Sequence, residues 1–482
     1  MEFSGHVVER RTGLTISKEG FGPGRRANQF EVTGLTEAPR DAQQRKSRGK
    51  YEMKLNHHIR GRTGLARVAV GLAALLGGGG IVAVSASGTA TAATKHKIQT
   101  VVFWNAYNDV TETPVMNGIV IPAFEAQNPG IKVIDDTLPY NGMLNKFIAS
   151  SAAGHPPSIM RSDIAWVPQL ASEGVLLETS KQKWFAAMKK AAFPGPLSTN
   201  LYKGGYYGIP LDTNTQVLFW NKADFAAANL QPPTTYAQLV TDAQTLTVPS
   251  LGQHGLGVDS TDIWNVGPLV WPTGANFTNN AWTKASGFMD SPKMIAAVQQ
   301  LVTFQQSGVI GSDMAGGSGA ISGETGFPTG QYAMYLDGPW ATNTYKQANF
   351  TGYGTVIDPP GPGGSGSVVG GEDLVIAKNA PNMAATIKFV KFLQSPFSQL
   401  AMVAAGQMTA YKTYAANEIK VNPALAVFAQ QLQTARARPV TQGYAALDTA
   451  FSNELQMMLA GKVTVAAGLQ AAAQAADTAL KP

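Results

Sequence analysis

Thr100-Val101-Val102-Phe103-Trp104, then Phe124-Glu125, then Asn128-Pro129-Gly130-Ile131-Lys132-Val133-Ile134: this stretch decides the fold. The Val/Phe/Trp run reads as a buried strand. Val115 to Gln127 places apolar residues at helical spacing, and Asn128-Pro129-Gly130 stops the helix. Ile131 to Ile134 is a strand again. Two strands joined by a helix run parallel, with the helix covering one face of their sheet. The alternation continues outward. Asn141 to Ala153 reads as a helix closed by Gly154, Ser158 to Arg161 as a short strand, and Trp166 to Gly174 as a helix. The fold class is therefore α/β.

The centre of the chain differs. Gly208-Ile209-Pro210 and Gln216-Val217-Leu218-Phe219-Trp220 read as strands, Thr235 to Leu246 as an amphipathic helix, and residues 251–290 as a loop-rich aromatic stretch. Pro292 to Ser307 is helical and Gln331 to Leu336 is a strand. Pro359 to Gly366 is a loop, Met383 to Leu393 a helix, and Tyr444 to Leu480 an Ala-rich helical stretch.

Of 482 residues, 44% are hydrophobic and 14% charged, a core-forming composition with room for more than one domain. There is no cysteine, so disulfides, thiolate metal sites, cysteine nucleophiles and a cysteine-linked lipid anchor are excluded. The net charge of +6 does not mark a nucleic-acid binder. Residues 1–92 hold 14 Lys+Arg against 7 Asp+Glu, whereas residues 93–482 hold 23 against 24. A nucleic-acid binder needs a basic face on its folded part. Histidine is sparse beyond the leader, only His96, His155 and His254, and no phosphate loop or nucleophile elbow stands out. No catalytic residue, metal ligand or cofactor site is expected.

Residues 53–92 read as a secretory signal. Arg60, Arg62 and Arg67 precede the apolar run Val68–Val84, and Ala90-Thr91-Ala92 fits an A-x-A cleavage site. An uncleaved anchor is the competing reading, since that run is near the lower limit for a membrane span. Residues 1–52 read as a disordered extension, or as sequence ahead of a true start at Met53.

The ordered set of segments resembles the bacterial extracellular solute-binding proteins of family 1, the maltose-binding-like receptors of ABC importers. Five segments between about residue 98 and about residue 480 carry the resemblance. They are the opening strand–helix–strand; Gly154 to Asp163 with Trp166 and Leu170; and Tyr207-Gly208-Ile209-Pro210 with Asp212-Thr213-Asn214-Thr215 and Trp220-Asn221-Lys222. Gly330 to Met334 with Gly338-Pro339-Trp340, and Gly370-Gly371-Glu372-Asp373-Leu374-Val375-Ile376, complete the set. The resemblance implies a two-lobed fold of the type II periplasmic-binding-protein kind. The N-lobe would hold 97–211 and 340–394, the C-lobe 214–336 and 396–482. It implies a monomer outside the cytoplasm that captures a carbohydrate for an ABC transporter membrane permease and binds no nucleic acid.

A sugar offers hydroxyls that want hydrogen-bond partners and C–H faces that want flat apolar platforms. Trp104, Asn105 and Tyr107 follow the first strand, where ligands of open parallel sheets bind, although Trp104 could equally be core. Asp163 follows the third strand, with capping of the next helix as its alternative. Asp212 and Asn214 are expected at the crossing, or as a hinge turn. One of Trp264 and Trp271 should stack on ligand. Trp340, after Gly338-Pro339, is a second platform. Gly370 and Gly371 allow close backbone approach, unless they form a tight turn, with Glu372 as an acceptor beside them. Tyr444 resembles the aromatic that closes over the sugar. Only three arginines follow the leader, Arg161, Arg436 and Arg438, and anionic ligands are usually gripped by arginines. A neutral carbohydrate is therefore expected. A secreted glycoside hydrolase, or a receptor for a polyol or glycerol phosphoester, is the alternative.

Overall fold

The computed structural model describes residues 97–316 and 320–481. The extension 1–52, the leader 53–92 and the expected cleavage site Ala90-Thr91-Ala92 lie outside the described residues. No helix among the described residues is long and apolar enough to cross a membrane.

The opening stretch folds as its pattern dictates. Gln99–Asn105 pairs in parallel with Ile131–Thr137, Gln99 opposite Ile131, and with Ile159–Asp163, Phe103 opposite Ile159. The helix between the first two strands is interrupted: a π-helical turn, Met116–Val120, separates Glu112–Val115 from Ile121–Gln127. Glu372–Ile376 and Gly208–Pro210 add antiparallel to the far edge, giving a five-stranded sheet. Phe103, Phe124, Phe147 and Phe389 pack fully buried into the core around it.

The chain leaves this sheet at Leu211 and enters a four-stranded one, ordered Met408–Thr409, Asp212–Thr215, Val368–Gly370, Arg436–Ala437. It returns at Gly371, between Val368–Gly370 and Glu372–Ile376. Gly371 has φ +129°, and a Cβ there would lie 2.6 Å from the Asp212 carbonyl oxygen, so only glycine lets the two crossings pass each other. A third sheet holds Tyr353–Val356, Val217–Asn221 and Met334–Asp337, and a two-stranded hairpin pairs Leu201–Tyr202 with Gly205–Tyr206.

Two boundaries fall elsewhere than the sequence suggested. Trp340 does not return to the first sheet. It opens the helix Trp340–Gln347, whose Ala341 and Tyr345, four residues apart on one face, pack with Phe219 and Phe327 of the second half. Pro396–Ala404, expected with the C-lobe, sends Leu400, Ala401 and Met402 into the first core. The aromatic stretch 251–290 is less loop-like than its Gly and Pro content suggests, because it contains the helix Ile263–Val270 with Pro268 inside it. The C-terminal stretch is two helices, Tyr444–Leu459 and Val465–Ala479, broken at Gly461 with φ +66°.

Candidate ligand-binding site

A cavity of about 500 Å³ opens where the first sheet, the crossing strands and a second core, built around Leu301, Phe451 and Leu469, meet. That size suits a small-molecule ligand. A recess of about 490 Å³ lies between Tyr140–Trp166 and the helix carrying Ala445 and Thr449, and no charged side chain lines it.

Strand alternation builds the first wall. Arg161 and Asp163 stand two residues apart on Ile159–Asp163, so both side chains leave the same face. Arg161 Nη2 lies 2.6 Å from Glu372 Oε2, and its Nε lies 3.4 Å from Asp212 Oδ2. The guanidinium also lies 4.5 Å from the centre of the Tyr107 ring. Burial pushes the Glu372 carboxyl well above the ordinary range although Arg161 pulls it down. Asp163 accepts from the Tyr140 hydroxyl at 2.8 Å and from the Ala165 N–H at 2.7 Å. Arg438 Nη2 donates to both Asp163 oxygens, at 3.0 and 2.9 Å. Arg438 rests over Trp264 and Tyr444, which belong to the second core, so this buried ion pair ties the two halves across the cavity.

The second wall owes its shape to a proline. Pro268 has no N–H to give the Trp264 carbonyl four residues earlier. Gln216, beyond the crossing strand, donates to that carbonyl instead, at 3.2 Å. Asp262 caps the same helix through the Asn265 N–H at 3.0 Å, and Asp448 accepts the Ile263 N–H at 2.8 Å. Trp264, held in this way, stacks with Trp340 at 6.4 Å between centroids and 27° between planes. A Cβ at Gly370 would overlap the Trp264 ring, and one at Gly338 would overlap the Trp340 ring. Gly338 and Gly370 thus make room for the aromatic pair.

Seven of the residues singled out from sequence line the cavity: Asp163, Asn214, Trp264, Trp340, Gly370, Gly371 and Glu372. Six do not. Trp104 is core, edge-on to Phe147 at 6.3 Å. Asn105 is spent on closing its own strand end, donating to Asp135 at 2.6 Å and accepting the Tyr107 N–H at 3.1 Å. Tyr107 and Asp212 hold Arg161 and border only a void of about 10 Å³. Trp271 packs against Phe277 in the second core, and Tyr444 lies buried beneath Arg438. Sequence reasoning missed Arg161, Arg438, Glu112, Asp262, Glu324, Gln407 and Asp448, all of which line the cavity. The rarity of arginine was the available signal for the first two. Nothing local marks the others, which the topology gathers from distant segments.

The sequence model of the family described as "Bacterial extracellular solute-binding protein" matches residues 120–427, more than half of the chain. The chain belongs to this family. The solute-binding protein is 26% identical over 370 residues to a binding protein of Brucella abortus, covering 74% of this chain and 88% of that one. It is 27% identical over 281 residues to the maltooligosaccharide ABC transporter solute-binding lipoprotein of Streptococcus pneumoniae, covering 57% of this chain and 64% of that one. Among solved structures, the GacH receptor of Streptomyces glaucescens, known unliganded and with acarbose, superposes with a TM-score of 0.72 at 22% identity. It covers 80% of this chain and 98% of that one. The fold is the two-lobed type II fold of the sugar-binding receptors.

Proposed function

We propose that this protein is an extracytoplasmic receptor that captures a carbohydrate in the cavity between its lobes and delivers it to an ABC import permease. The observation that carries the reading is the stacked pair Trp264–Trp340 beside unmet acceptors in one cavity. Asn214 Oδ1 and Gln407 Oε1 are buried without a hydrogen-bond partner, and both residues line the space that Trp264 and Trp340 flank. Rings offer a platform to sugar C–H faces, while unpartnered acceptors are costly until a ligand hydroxyl answers them. The carbohydrate ligands named for the pneumococcal and Streptomyces relatives support the same class. Both arginines in the cavity are already matched to carboxylates, which argues against an anionic ligand.

The protein acts as a binder, not as a glycosidase, and works as a monomer exported by its leader. A thermal-shift screen against mono- and oligosaccharides tests the reading. A bound sugar stabilises the fold by about 2.7 kcal/mol at a hundredfold excess over Kd. A panel in which no saccharide moves the transition overturns it. Ala92→Asp should block processing of the precursor, and normal cleavage of that variant contradicts the export site.

A further inference from the structure

Six carboxylates line the cavity: Glu112, Asp163, Asp262, Glu324, Glu372 and Asp448. Five are answered by the protein. Asp163 and Glu372 face arginines, Asp262 and Asp448 hold a helix N-terminus, and Glu112 accepts from the Gln407 amide and the Asn108 N–H. Glu324 differs. It makes no ion pair among the described residues, burial together with Asp259 pushes its carboxyl up, and the Trp340 indole N–H that opposes this acts on Asp337 as well.

Behind Glu324 stand more acids and no base. Asp259 accepts from the Tyr335 hydroxyl and from the Gly323 N–H at 2.6 Å. Asp337 is 5% exposed, and its Oδ2 has no partner. Asp313 neighbours Asp259 and is pushed up to about 7 by burial and by that carboxyl. None of these four acids makes an ion pair among the described residues. No three of them converge closely enough to hold a metal ion. The other unmet groups facing this space, Asn214 Oδ1 and Gln407 Oε1, are acceptors as well, and their residues are 3% and 2% exposed. Arg438 Nε is the one unmet donor among the cavity-lining residues.

We propose that the cavity selects a carbohydrate carrying a protonated amine, with the ammonium seated between Glu324 and the Trp340 ring. The inference rests on the reading of the cavity as a carbohydrate site. An ammonium brings three donors and a positive charge to a pole lined by carboxyls that no cation among the described residues answers. It donates a charge-assisted hydrogen bond to Glu324 and makes a cation–π contact with the indole at the same time. The scarcity of arginine, which sets anionic ligands aside, is consistent with a cationic one.

The test is calorimetric titration of the mature chain with three probes: the glucosamine trisaccharide, its fully N-acetylated form, and maltotriose. The amine form is expected to bind about tenfold more tightly than either uncharged sugar. Glu324→Gln keeps the shape and removes the charge. It should abolish that preference, bringing the affinity for the amine form down to that for the uncharged sugars measured on the same variant. The wild-type comparison stands even if the variant does not fold. If an uncharged sugar binds as tightly as the amine, the inference is overturned and the receptor reading survives. If no saccharide of any kind binds, both fall.

Discussion

Trp340→Ala separates a ligand platform from a packing residue. The ring is half-buried, stacked on Trp264 at 6.4 Å, and its free surface faces the cavity. A sugar laid on that surface covers about 60 Å² of it, worth about 1.5 kcal/mol at about 25 cal/mol per Å², or about a tenfold rise in Kd. Loss of the stack itself costs the unliganded fold about 1 kcal/mol. Trp340→Phe restores a smaller platform and should recover most of the affinity. Calorimetric titration with the best sugar from the screen reads the first quantity, and urea unfolding without ligand reads the second. An unchanged Kd refutes the platform. A loss of unliganded stability above about 4 kcal/mol, the scale of a large core truncation, shows that Trp340 is core instead.

Arg438→Met strands the Asp163 carboxylate in a site where both residues are 6% exposed, and should cost about 3 kcal/mol in urea unfolding. Stability equal to wild type would remove the bridge from the account, and Arg438→Met with Asp163→Asn should recover part of the loss. Burial raises the Asp373 carboxyl to about 8, against the donors Asn200 and Thr199, and raises Asp448 and Glu418 to about 7. A carboxyl whose folded pKa is raised stabilises the protein while protonated, and that contribution fades as pH climbs from the ordinary range to the raised value. The unfolding midpoint should therefore fall between pH 5 and pH 8, less steeply in Asp373→Asn; an unchanged slope in that variant contradicts the assignment. Ligand should reduce the radius of gyration in small-angle scattering by closing the lobes on their crossings, and an identical profile at saturation argues against a hinge.

What could be read in advance was what local pattern controls. The strand–helix–strand from Gln99 to Thr137 follows from periodicity, and the exit near Leu211 from the family resemblance; the return expected at Trp340 lies instead at Gly371, which the sequence marks only as a close backbone approach or a tight turn. Trp340 was legible as a cavity residue but not as the start of a second-half helix, because Gly-Pro suits a crossing and a helix N-terminus equally well. The helix at Ile263 was hidden by Pro268, whose missing bond is replaced by Gln216, some fifty residues away in sequence. Of the six residues that missed the cavity, Tyr107, Asp212 and Tyr444 sit behind Arg161 and Arg438, while Trp104, Asn105 and Trp271 pack or pair elsewhere; strand and helix register, not local sequence, decides this. Glu324, Gln407 and Asp448 were invisible because only the folded topology brings them to Asp163.

The central claim is tested most directly by calorimetric titration of wild-type protein with the sugar that most raises its unfolding midpoint, followed by chromatography of that sugar. The account predicts one saturable site per chain and the sugar recovered intact. No saturable heat, or the appearance of shorter saccharides, would contradict it.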